Sequence, residues 1–161
     1  MDFSKLSRAE VIGVIASVVL VLSLLFLTWY DLEAAPREMG NAGWICGKGD
    51  LSCTGFDTFP IMRWLLLLAA IAPVVLAYIV VRGHKLSWAP GEMTMVVGFT
   101  AFVLIAYNGI IDKPGTGEEE IGVSLAIGYW IALLASAGIA AAGVGRAMES
   151  QTTVRKTPGT V

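Results

Sequence analysis

Few side chains in this chain are equipped for chemistry. Both cysteines fall in one stretch, Trp44-Ile-Cys46-Gly-Lys-Gly-Asp-Leu-Ser-Cys53-Thr, and the one histidine, His84, is remote from them. If Gly49-Asp50 forms a two-residue turn with glycine first, as a type II′ turn prefers, Cys46 falls directly opposite Cys53 on a paired strand. Such residues lie about 5.5 Å apart at Cα, within the reach of a disulfide. A structural bridge is the main expectation and a redox pair the alternative, because exchange thiols commonly sit in Cys-x-x-Cys with a low-pKa thiolate. Two cysteines and a distant histidine cannot close a four-ligand site, so no metal and no cofactor are expected. The acidic run from Asp112 to Glu120 lacks the spacing of a calcium loop and reads as a solvated helix start. No catalytic constellation emerges, and the chain is expected not to be an enzyme.

The elements that must position these residues follow from composition. Of 161 residues, 56% are hydrophobic and 15% charged, against roughly 25% charged in a soluble domain. The apolar residues gather in four blocks, about 11–30, 64–81, 93–111 and 121–145, each near the ~20 residues that cross a bilayer as helix. The expected fold class is an all-α membrane protein: a four-helix transmembrane domain over 1–147 and a disordered cytoplasmic tail over 148–161. Its outer loop, 31–60, is expected to form a short disulfide-stapled β-hairpin. The first block is too long for the apolar core of a cleavable signal and is expected to remain as an anchor. Pro73, inside the second, removes a backbone donor and predicts a kink.

Lys5, Arg8, Arg82, Lys85, Arg146, Arg155 and Lys156 would lie on one side, and Arg37, Lys48, Arg63 and Lys113 on the other. The positive-inside rule then puts both termini in the cytoplasm of a cell-membrane protein. The expected partners are the lipid bilayer and another membrane protein or a second copy. No basic stripe interleaved with aromatics is present, so nucleic acid is not expected. Trp29, Tyr30, Trp64, Trp88 and Tyr107 occupy positions suited to the interfacial aromatic belt.

Inside the four blocks no carboxylate, lysine or histidine is found between the flanking charges, which argues against a proton- or ion-coupled carrier. Small residues recur at four-residue spacing: Gly13 with Ser17, Ser124 with Gly128, and Gly138 with Ala142. Each pair lies on one helical face and predicts close helix packing, within the bundle or between subunits. Asn108 is expected to make an interhelical hydrogen bond, with Ser124 as a candidate partner. Tyr129 and Trp130, read as deep in the fourth block, are packing residues or, with Asn108, a lipid contact.

The pattern Trp29, Gly43-Trp44-x-Cys46, Cys53 and Arg63 is similar to the first extracellular loop of claudins and their relatives, although the family's Gly-Leu-Trp-x-x-Cys is shortened here to Gly-Trp-x-Cys. That resemblance implies four spans, internal termini, a stapled hairpin and a role in adhesion or partner assembly, with Trp29, Trp44 and Arg63 as outer-loop recognition residues. The whole chain also resembles small four-span membrane proteins of actinobacteria, which share Phe-Leu-x-Trp-Tyr closing the first span and Gly-Tyr-Trp in the fourth. The functional expectation is an accessory, assembly or adhesion-type subunit acting through its outer loop and small-residue helix faces. The alternatives are binding or transport of a lipid or uncharged amphiphile near Asn108 and Trp130, and a thiol oxidoreductase using Cys46 and Cys53.

Overall fold

The computed structural model of the chain describes residues 7–32, 46, 51–82, 90–113 and 122–154. Four helices in it are long and apolar enough to cross a membrane. The first, α1 (Arg8–Phe26), starts at Ser7, whose hydroxyl accepts from the Glu10 amide at 3.3 Å while the Glu10 carboxylate accepts from the Ser7 amide at 2.7 Å. This reciprocal pairing satisfies two of the donors left orphaned at a helix start. The helix stops at Phe26. Leu27 turns extended, and Thr28-Trp29-Tyr30, rich in β-branched and aromatic side chains, continues as strand β1 (Thr28–Leu32). The first apolar block is therefore helix and strand in series, not one rod from 11 to 30.

After β1 come β2 (Ser52–Thr54) and a single turn, α2 (Gly55–Thr58), opened by the Thr54 hydroxyl accepting from the Asp57 amide. The second span, α3 (Met62–Val81), continues through Pro73. The third is α4 (Pro90–Ala106), which widens into a π-helical turn over Tyr107–Ile111. The fourth block is not helix throughout. Val123–Leu125 form strand β3, and α5 (Ile127–Val154) follows. Met148–Val154, expected to belong to a disordered tail, extend that helix, since elongation of an existing helix adds a hydrogen bond per residue without a new nucleus.

The three strands make one antiparallel sheet in the order β2-β1-β3, so the fold is not purely helical. Tyr30 is the hinge of the register, opposite Cys53 on one side and Leu125 on the other. The expected pairing of the two cysteines on facing strands is corrected: Cys53 lies opposite Tyr30 of β1, and Cys46 lies in no strand. Gly49 and Asp50, the expected turn, are outside the described residues.

α5 is the central helix, with 44% of its apolar window buried against 28% to 33% for the other three. Its small residues account for this. Gly138 lies against Ala16 and Gly13 against Ala142, bringing α1 and α5 together within the bundle. On the other side of α5, Gly143 meets the backbone of α4 at Met95, and Gly98 of α4 meets the backbone of α5 at Ala140. A Cβ at either glycine would enter main-chain atoms, so the helices cross at this distance only because glycine is there.

Candidate functional site

Beneath the sheet the chain builds an aromatic hub. Trp29, Tyr30 and Tyr129 are fully buried there with Leu20, Leu24, Leu66 and Ile105. Trp29 and Tyr129 meet edge to face with ring centroids 6.1 Å apart, and Tyr30 meets Phe59 likewise at 5.9 Å, geometries that ring quadrupoles favour. Trp29 donates its indole N–H to the Ser23 carbonyl at 3.0 Å, and the Ser23 hydroxyl donates to the Gly128 carbonyl at 2.6 Å. The end of α1, the start of β1 and the first turn of α5 are thus tied by buried polar bonds.

Tyr30 extends the hub to the third span. Its hydroxyl donates to the Asn108 carbonyl, in the π-helical turn, at 3.3 Å. Burial pushes the Tyr30 phenol above its ordinary range, and the neighbouring Tyr129 adds to the shift. Gly109, within the π-turn, leaves room for the Tyr129 ring, which a Cβ would strike. The Tyr129 hydroxyl has no hydrogen-bond partner among the described residues.

Several sequence expectations change here. Asn108 does not bond to Ser124: its amide donates to the Leu104 carbonyl at 2.9 Å and to the Met62 sulfur at 3.2 Å. Ser124 lies in β3 and donates to the Asp31 carbonyl at 3.3 Å, so it shares no helical face with Gly128. Trp29 presents no surface for recognition, and neither Trp29 nor Tyr30 belongs to an aromatic belt, because the chain folds them back under the sheet. Tyr129 is buried and makes no lipid contact; α5 begins so late that Tyr129 sits in its first turn instead of deep in the span. Trp130, 47% exposed, packs edge-on to Tyr129 and faces outward. Ser17, buried, donates its hydroxyl to the Gly13 carbonyl of its own helix at 2.8 Å.

The rim of the hub carries the disulfide, Cys46 to Cys53, with a Cα separation of 4.9 Å and both residues buried. Arg63, in the first turn of α3, donates to the Phe56 carbonyl at 3.4 Å and lies over the Phe56 ring at 4.7 Å and the Trp64 ring at 5.6 Å. The contact with Phe56 holds it to the short turn α2. Trp64 and Tyr107, unlike Trp29 and Tyr30, are exposed. Trp44, His84 and Trp88 are outside the described residues.

At the opposite end of the bundle the sequence reading missed a second polar centre. Glu10 of α1 and Arg146 of α5 form an ion pair at 2.7 Å, with side chains 4% and 17% exposed. The charge pattern places Arg146 among the basic residues of one side and gives Glu10 no role. The signal available was the capping box at Ser7, which starts the helix early enough to draw Glu10 inside it. Among the described residues no group of three or more histidine, cysteine or acidic side chains could hold a metal ion. No family model, curated protein or solved structure matches this chain.

Proposed function

We propose that this is a non-enzymatic, multi-pass subunit of the cell membrane, with both termini in the cytoplasm, that presents its sheet-bearing cap to a membrane-protein partner in an accessory, assembly or adhesion-type role. The observation that carries this reading is the union of both outer connections in one sheet: β1 holds β2 on one edge and β3 on the other, and the Cys46–Cys53 bridge joins the same layer. A cap fixed to all of its neighbouring helices loses little conformational entropy when it docks, which favours binding through a preorganised surface. Exposed Leu51, beside β2, and exposed Ser52 and Ser124 give that layer an accessible face. The redox reading is weaker, because buried sulfurs are poorly placed for attack by an exchanging thiolate.

The test is crosslinking in native membranes followed by purification in mild detergent, with wild type, Leu51→Asp and the Cys46→Ser/Cys53→Ser pair. The expected result is a discrete complex for wild type that L51D weakens at unchanged thermal stability. Recovery of a lone monomer from all three would overturn the reading.

A further inference from the structure

α3 and α4 part along the half of the bundle that adjoins the sheet, leaving an apolar groove of about 190 Å3. Buried Ala69 and Ala101 form its floor, and their small side chains are the reason that the two helices leave space between them. Leu65 and Thr100 stand exposed at the rim, with Val97 and Leu104 half-buried between. The Thr100 hydroxyl donates to the Val96 carbonyl of its own helix at 2.8 Å, so it does not call for a polar ligand. Towards the sheet, the Asn108 amide reaches the Met62 sulfur at 3.2 Å and bridges the two helices, leaving entry from the side.

We propose that this groove holds one acyl chain of a membrane lipid. The lining residues all lie in two helices apolar enough to span a bilayer, so an opening to the side faces hydrocarbon and not water. An apolar cavity of about 150 Å3 takes a single benzene ring, and a groove of about 190 Å3 accommodates a segment of alkyl chain. A helix from a second copy, roughly 10 Å across, is too wide to enter and would lie over the rim. With no unsatisfied polar side chain in the lining, the groove selects a tail and leaves the headgroup outside. The inference depends on α3 and α4 lying in a bilayer and is independent of what the cap binds.

The experiment uses the full chain in phosphatidylcholine vesicles containing a phosphatidylcholine whose acyl chain carries a diazirine, with adducts mapped by mass spectrometry after illumination. Labelling is expected to be at least threefold higher on 65–69 and 96–104 than on the exposed α1 residues Ile12, Ile15 and Val18. Ala101→Leu, which fills the floor, is expected to bring the groove down to the α1 level while leaving α1 labelling unchanged. Thr100→Phe, at the rim, gives the same comparison should A101L fail to fold. Uniform labelling of all exposed apolar residues overturns the proposal, as does labelling unaffected by either substitution or a groove that crosslinks to a second copy. L51D, which addresses the cap, is expected to leave the lipid adducts unchanged, so failure of one reading is distinguishable from failure of the other.

Discussion

Glu10 and Arg146 bring the beginning of the first span and the last turns of the fourth within 2.7 Å of each other, in a setting that excludes most water. Removing one partner strands a charge, whereas removing both does not. Arg146→Met is therefore expected to cost about 3 kcal/mol, and the double variant Glu10→Met/Arg146→Met clearly less. Thermal unfolding in detergent decides it. A double variant as unstable as the sum of the singles would show that the two charges act separately.

Tyr30 supplies a pH dependence. Its phenol is raised above the ordinary value of 10.0 by burial, with Tyr129 adding to it. The neutral form is therefore favoured more strongly in the folded state than in the unfolded one. That contribution is fully present below the ordinary phenol range and is lost as pH rises from there through the raised value, because the unfolded chain releases its proton first. Melting temperature is expected to fall above about pH 10, and Tyr30→Phe to flatten the fall. At neutral pH the same variant loses the bond to the Asn108 carbonyl, at a cost of about 1 kcal/mol. An unchanged alkaline profile in Y30F would assign the dependence elsewhere.

The four rods were legible because an uncharged apolar block of that length has few soluble alternatives. The sheet was not. Thr28–Leu32 and Val123–Leu125 sit at the ends of apolar blocks, where hydropathy cannot distinguish strand from helix, and only their mutual pairing identifies them. The same ambiguity sent Trp29 and Tyr129 to the wrong depths, since an aromatic near a span end looks alike whether it faces headgroups or closes a core. The cysteines illustrate the converse: spacing alone brought Cys46 to Cys53, but through a strand pairing that Cys46, lying in no strand, does not make. The α3–α4 groove had no sequence signature, for an alanine in an apolar block reads the same at a tight contact as at a gap. Glu10 lies just before the first apolar block, and nothing in the hydropathy pattern signals the capping box and ion pair that draw it in.

Two neighbouring glycines of α5 should respond differently to the same change. A Cβ at Gly143 would enter the backbone of Thr94 and Met95, whereas one at Gly145 would meet only the Ala9 Cβ at 3.6 Å, an ordinary contact. Gly143→Ala is expected to cost about 1 to 3 kcal/mol through forced separation of α4 and α5. Gly145→Ala is expected to be neutral or to gain up to about 1 kcal/mol from helix propensity. Equal effects in a detergent unfolding series would mean that α4 and α5 are not in close backbone contact.

The disulfide closes a short ring at the edge of the cap, and its loss is expected to cost about 2 to 3 kcal/mol, mainly by freeing the unfolded chain. Both cysteines are buried, so reduction by a mild thiol is expected to be slow in the folded protein and fast once denaturant opens the cap. Pulsed alkylation with and without denaturant measures this directly. The Cys46→Ser/Cys53→Ser pair is expected to keep its helical circular dichroism, because the four spans draw their packing from α5 and not from the bridge. Its greatest loss should be in protection of the β2 amides, Ser52 to Thr54, against hydrogen exchange. Were the helices to melt together with β2 in that variant, the cap would be an inseparable part of the bundle and not a layer pinned to its top.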